Sequence, residues 1–235
     1  QQKSYSEEDI YRYMDKLYDS QKEKVQQISY QHTREILADD IRMVFYDVTT
    51  LYFEIEKEDN LRKTGFSKDG KHQHPQIVLG LLVSVGGYPL AYDIFEGNKY
   101  EGDTMLPIID AFKERYQFEH LTIVADSGLI SNNNITELEE RGYKYIWGAR
   151  LKNQPGKIAE QICTLGLKNG ESKVIWKSEN TALIINYSDK RAKKDLFNRE
   201  RGLKRLEKQI TSGKFTKSNI NKRGYNKYLK IEGEM

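Results

Sequence analysis

The chain has 235 residues and a mass of 27.5 kDa, enough for one large domain or for one domain with an appendage. Hydrophobic residues make up 37% and aromatic residues 11%, which excludes a disordered chain, and a single cysteine, Cys163, excludes an internal disulfide or a multi-cysteine zinc site. The net charge of +3 is unevenly spread: residues 151–235 carry 20 Lys and Arg against 9 Asp and Glu, and the first 150 carry 18 against 26. The basic half is the kind of surface that meets a polyanion, although charge alone fits two ordinary solvated surfaces as well.

In chain order, residues 6–37 read as two helices. Ser6 and Asp9 form a capping-box start, and Ile10, Tyr13, Met14 and Leu17 follow at helical spacing. Met43 to Asp47 is an apolar run ending in an acid, and Leu51 to Ile55 is again strand-like. The polar stretch 57–74, with Gly65 and Gly70, reads as a loop. Ile77 to Val85 is a buried-strand candidate and, as the longest uncharged apolar run, far too short to span a membrane. Gly86-Gly87 signals a hairpin into Tyr88 to Phe95. Asp103 or Thr104 caps a helix running to about Tyr116. Leu121 to Ala125 is a strand closed by Asp126, Ser131 to Arg141 a helix closed by Gly142, and Tyr143 to Trp147 the next strand. Three strands, then helix, strand, helix, strand, predict an α/β fold with a mixed sheet flanked by helices, in the order of the ribonuclease H fold.

Beyond Arg150 the texture changes. Lys173 to Trp176 and Ala182 to Tyr187 predict a β-hairpin, Asp189 to about Ile210 a basic helix with an apolar stripe, and Tyr228 to Ile231 a final strand. Three regions are expected: an N-terminal helical segment, 1–38; the first part of a ribonuclease H-like core, 39–152; and an insertion with hairpin and basic helix, 153–235, in which the core is incomplete. The chain begins with Gln, as a piece of a longer protein would.

Two acids stand out by position. Asp47, in Val44-Phe45-Tyr46-Asp47-Val48-Thr49-Thr50, and Asp126, in Ile123-Val124-Ala125-Asp126-Ser127-Gly128, each end an apolar run. An acid there is costly to desolvate without a partner. Either Asp alone reads as a turn former or helix cap. As a pair, on neighbouring parallel strands, their carboxylates would converge and suit Mg²⁺ or Mn²⁺, in the manner of two-metal phosphodiester chemistry. His72 and His74 could share a face, but lack an acid or Cys partner and read as loop residues. Thr49 and Thr50 read equally as phosphate donors or strand formers. Arg150 and Lys152, and Lys193, Lys194, Arg201 and Arg205 on the basic helix, are candidates for DNA-backbone contact. Tyr225 and Tyr228 among lysines read as packing residues more than as base stackers.

The stretch Tyr46-Asp47-Val48-Thr49-Thr50-Leu51-Tyr52-Phe53-Glu54 resembles the first catalytic-Asp motif of bacterial DDE transposases of the IS-four-like insertion-sequence group. Val124-Ala125-Asp126-Ser127-Gly128 resembles the second such motif. Tyr88-Pro89-Leu90, Phe95-Glu96-Gly97-Asn98 with Thr104, and Trp147-Gly148-Ala149-Arg150-Leu151-Lys152 resemble the strands and loops around them. The resemblance implies a DNA transposase catalytic domain, with metal-dependent phosphodiester hydrolysis and strand transfer, and with Asp47 and Asp126 as the first two catalytic, metal-binding carboxylates. It implies two Mg²⁺ or Mn²⁺ ions, double-stranded DNA at element ends and target as partner, self-association on DNA, and a cytoplasmic, nucleoid-associated bacterial setting. The family's third carboxylate is a Glu within the pattern Tyr, two residues, Arg, three residues, Glu, six residues, Lys. No segment here matches it, and Glu200 and Glu207 lack the Tyr and Arg. The resemblance therefore implies a core completed by a Glu outside this chain, inactive alone. The alternatives are a DNA-binding remnant that does not cut and a haloacid-dehalogenase-like phosphohydrolase, which needs a second Asp where Thr49 stands.

Overall fold

The computed structural model describes residues 4–17, 21–38, 40–67, 70, 73–129, 131–213 and 224–228. His72 and most of the expected strand 228–231 lie outside them; Tyr228 itself ends a 3₁₀ helix, Gly224–Tyr228, and is no strand residue. Among the described residues no helix is long and apolar enough to cross a membrane. The chain divides into two compact units, 1–150 and 151–235.

In the first unit, α1 (Glu7–Lys16) and α2 (Lys22–Ile36) precede a five-stranded sheet. The strands are β1 (Met43–Tyr52), β2 (Gln76–Ser84), β3 (Pro89–Glu96), β4 (Thr122–Ala125) and β5 (Lys144–Trp147), in the order β3-β2-β1-β4-β5. β2 is antiparallel to β1 and β3, whereas β1, β4 and β5 are parallel. The parallel pairs are joined through α3 (Met105–Tyr116) and α4 (Asn132–Glu140), because strands running the same way need a crossover. This is the ribonuclease H-like mixed sheet flanked by helices. The expected break between Met43–Asp47 and Leu51–Ile55 does not exist: β1 is one strand through Asp47 to Tyr52, paired with β2 along its length.

Strand alternation sorts the side chains by face. Val44, Tyr46, Val48, Val78, Leu82, Ile123 and Ala125 are buried in one cluster with Met105, Ile108, Ile109 and Phe112 of α3 and Leu138 of α4. Phe45, Leu79, Leu81, Val83 and Val124 point the other way and are half-buried. Ile146, in register with Val124, is exposed. α2 shields the outer edge of β3: Ser29 Oγ donates to Pro89 O at 2.5 Å, Gln26 Nε2 donates to Tyr92 O at 3.4 Å, and Lys22 pairs with Asp93. Such cover satisfies backbone groups that an edge strand leaves open.

The second unit holds α5 (Gly156–Cys163), the hairpin β6 (Ser172–Trp176) and β7 (Ala182–Asn186), and α6 (Asp189–Thr211). Its own small core is Ile175, Leu183 and Ile185, with Ile158, Ile162, Leu165 and Leu167 packed against them.

Candidate functional site

β1 and β4 are neighbours, parallel and in register, and their last paired position is Tyr46 opposite Ala125. Asp47 is the next residue of β1, and Asp126 is the first residue beyond β4. Adjacent strands lie about 4.8 Å apart, so each acid directly follows a residue of a pair one strand spacing apart. Alternation sets Asp47 with Phe45 on the half-open face. Both residues are exposed. The desolvation cost anticipated from the apolar runs is therefore absent, and Asp47 lies within β1 instead of ending it.

The surroundings fix both acids. Val48 N–H donates to Asp47 Oδ1 at 2.8 Å. Asp126 opens a turn closed by Leu129 N–H on Asp126 O at 3.1 Å, and Arg150 donates to Ser127 O at 3.1 Å. Arg150 thus supports the backbone beside Asp126. Asn134, 3% exposed, donates both amide protons, to Leu129 O at 3.0 Å and to Gly102 O at 2.9 Å. It ties the Asp126 turn to the loop entering α3. Gly148 leaves room: a Cβ there would lie 3.2 Å from Ser127 N and 3.6 Å from Asp126 Oδ1.

Behind Asp47, Thr104 stands at the start of α3 but does not cap it through its side chain. Its hydroxyl donates to Glu101 O at 2.6 Å and so accepts from the Tyr46 phenol at 2.7 Å. Burial pushes the Tyr46 phenol well above its usual range; the Thr104 hydrogen bond opposes this, and the Asp47 charge adds to it. On the far side of β1, a cavity of about 410 Å³ opens between Thr50, Phe66, Val78, Asn98, Tyr100 and Gly128.

The other sequence-predicted residues lie apart from the two acids. Thr49 is exposed, two residues along β1 from Asp47, and Thr50 is half-buried. His74 is half-buried with its ring 6.5 Å from Tyr52. Lys152 is exposed in a 3₁₀ turn, Leu151–Asn153. Lys193, Lys194, Arg201 and Arg205 are exposed on α6, whose 100° step gathers them on one arc with Lys190, Phe197, Lys204 and Lys208. The Arg201 guanidinium lies 5.9 Å from the Phe197 ring centre. Tyr225 packs: its ring fills the space beside Gly202, and its hydroxyl donates to Asn198 O at 2.8 Å. Glu200 and Glu207 are exposed on the same helix. Sequence reasoning missed Asn134, whose only signal was its place in the first turn of a helix, and Gly148, which stood unremarked inside a longer motif.

Can the residues present hold a divalent ion? Asp47 on β1 and Asp126 in the turn after β4 offer hard carboxylate oxygens, and a Cβ at Gly148 would lie 3.6 Å from Asp126 Oδ1. One or two carboxylates completed by water and substrate phosphate is the usual Mg²⁺ arrangement. Among the described residues no group of three His, Cys, Asp or Glu side chains is placed to hold a metal, so the pair fits part of a site.

The family model for the transposase DDE domain matches residues 39–227. No curated protein matches. Among solved structures, the piggyBac transposase synaptic complex with hairpin DNA is similar at TM-score 0.43 and 11% identity, over 69% of this chain and 36% of that one. The Mos1 transposase paired-end complex with left transposon end gives TM-score 0.33 and 10% identity, over 56% and 44%, and the Mos1 mariner paired end complex with Mn gives 0.30 and 11%, over 54% and 42%. The match thus spans less than half the length of each of these chains.

Proposed function

Because the chain belongs to the transposase DDE domain family, we propose that it is the first part of a DNA transposase catalytic domain of the IS-four-like insertion-sequence group, acting on double-stranded DNA in a bacterial cytoplasm. The observation that supports this is the register of β1 and β4, which follows the paired Tyr46 and Ala125 with Asp47 and Asp126. In this reading the two carboxylates hold Mg²⁺ or Mn²⁺. Such an ion, when bound, lowers the pKa of water and offsets charge on the leaving oxygen of a phosphodiester. Asp47 and Asp126 orient it from fixed backbone, and Asn134, Arg150 and the Asp126 turn hold the second ligand in place. The half-buried apolar face around Phe45, Leu81 and Val124 suits a packed helix. A helix beyond this chain, carrying the third carboxylate, is the natural occupant. Lys152 and the basic arc of α6 meet the DNA backbone, and copies self-associate on DNA.

Manganese titration and a nicking assay test this together. The 235-residue chain should bind Mn²⁺ weakly, and Asp47→Asn or Asp126→Asn, which keep the shape and remove the charge, should weaken binding at least ~10-fold, about 1.4 kcal/mol. The chain alone should not nick element-end DNA with Mn²⁺, and a version extended through the missing helix should, in an Asp47- and Asp126-dependent way. Equal Mn²⁺ binding by wild type and both variants would remove the acids from the site. Robust cleavage by the 235-residue chain would put the third ligand inside it. An extended chain that binds DNA without cutting would favour the non-cutting remnant.

A further inference from the structure

The cavity of about 410 Å³ on the far side of β1 has no part in the metal chemistry proposed for the two acids, yet it adjoins them. Gly128 forms one wall, and a Cβ there would lie 3.9 Å from Asp126 Oδ2, so the glycine keeps this wall low beside that carboxylate. Thr50 forms another, three residues or about 10 Å along β1 from Asp47. β1 pairs with β4 only as far as Tyr46, and the cavity occupies the gap that follows, between β1 and the Asp126 turn. Gln76, 2% exposed, donates to Gly97 O and Phe66 O and so fixes the chain on both sides of the mouth. Two rings line it: Phe66, 75% exposed, and Tyr100, 59% exposed and lying on Gly102 in space a Cβ would take.

The lining selects the occupant. The two rings and Val78 offer apolar surface to a flat ligand, and Asn98 adds an amide that both donates and accepts. The single ammonium, Lys99, stands beside the Glu101 carboxylate, too little positive charge to hold a free phosphate. An alkyl chain would use neither the amide nor the ammonium. A nucleotide uses all of them: the base stacks on aromatic rings, its edge meets the amide, and its phosphate meets the ammonium. The volume lies within the usual range of about 300–1,000 Å³ for small-ligand sites. Position selects the source. A strand whose phosphate lies at the acids passes the mouth, and about 10 Å is some three nucleotides at about 3.4 Å each. Resting on the transposase reading above, we propose that the cavity receives one base unstacked from the DNA, within about three nucleotides of the reacting phosphate. Phe66 and Tyr100 are its stacking surfaces, and Asn98 meets its edge.

Binding of bulged duplexes to the 235-residue chain tests this. A bulged base has already lost its pairing and enters a pocket at the least cost. Wild type should bind a duplex with one bulged adenine at least ~10-fold tighter than the same duplex with an abasic bulge, which bends alike but offers no ring. Phe66→Ala and Tyr100→Ala should each cut that preference at least ~5-fold, the loss of one base–aromatic stack, and leave affinity for the abasic duplex unchanged. Should Tyr100→Ala lower the thermal midpoint, Phe66→Ala, at the more exposed ring, still decides. Free adenosine monophosphate, the same chemistry without a strand, should bind far more weakly than the bulged duplex. Equal affinity for the adenine and abasic bulges, a preference that survives both substitutions, or adenosine monophosphate binding as tightly as the duplex would each overturn the proposal. A chain that binds Mn²⁺ through Asp47 and Asp126 but prefers no base overturns the cavity's role alone, and a chain that binds no duplex overturns the transposase reading with it.

Discussion

At the scale of single residues, the site rests on neighbours that do no chemistry. Asp47 is exposed, but Tyr46 beside it is 2% exposed and anchors β1 to the start of α3 through Thr104. Removing that hydroxyl with Tyr46→Phe should cost about 0.5–1.5 kcal/mol near neutral pH, the usual net value of one hydrogen bond. The pH dependence gives a sharper outcome. The folded Tyr46 phenol titrates above its ordinary value near 10 because burial disfavours the phenolate. A raised folded pKa means the stabilising contribution is complete below the unfolded value of about 10 and is lost as pH climbs past it toward the folded one. Wild type should therefore lose more stability than Tyr46→Phe between about pH 8 and about pH 11, read as the shift in urea midpoint. Tyr143, also held above its ordinary range by burial and by Asp110, is common to both proteins and cancels in the comparison. Equal losses would mean the phenol of Tyr46 is not protected by the fold.

At the scale of elements, the strands were legible because their apolar runs are short, β-branched and bounded by turn residues. The helix from Ser6 was legible by its capping box and the one from Ser131 by its closing Gly142, whereas α6 was read from its apolar stripe and its cap, Ser188, emerges only in the structure. Asp47 hid the continuity of β1, since an acid in mid-strand reads as an end unless one knows that its face is half-open. α5 escaped notice: eight residues after Pro155, with Ile158 and Ile162 as its inward pair, give too short a period to see. Register is the part no single sequence displays, and it is what sets Asp47 against Asp126. The junction of β2 and β3 was equally invisible. Gln76, 2% exposed, donates its amide to Gly97 O at 2.7 Å and to Phe66 O at 3.1 Å, and pairs by backbone with Lys63. A Cβ at Gly97 would fall 2.0 Å from Gln76 O and 2.3 Å from Lys63 O, both backbone atoms that cannot step aside. Gly97→Ala should destabilise by about 1–3 kcal/mol or more, the cost of overpacking. Gly156→Ala, with no atom within 4 Å of the new methyl, should be neutral or slightly stabilising in the same denaturation series. A Gly97→Ala protein as stable as wild type would show that this junction yields more easily than its backbone contacts imply.

At the scale of the whole molecule, charge and fold divide at the same place. The unit holding Asp47 and Asp126 is net acidic, and the unit holding α6 is net basic. Without its ions a carboxylate pair repels phosphate, so a basic surface elsewhere in the chain would add the long-range attraction for DNA. α6 is the proposed source: Leu206 and Gly202 are buried on one side, and Lys193, Lys194, Arg201, Lys204, Arg205 and Lys208 lie along the other. If that arc lies on phosphates, binding to any duplex releases counterions, and log K should fall with log salt by about 0.9 for each phosphate neutralised. Replacing Lys193, Lys194, Arg201 and Arg205 by Ala should then lower the steepness by up to about 3–4, with little change in fold because all four are exposed. Asp47→Asn should leave the slope unaltered, which separates holding DNA from holding metal. Fluorescence anisotropy with a duplex of arbitrary sequence across a salt series measures both. An unchanged slope in the four-fold variant would make the basic arc an ordinary solvated face and shift the search for the DNA surface to Arg150, Lys152 and the loops around β1.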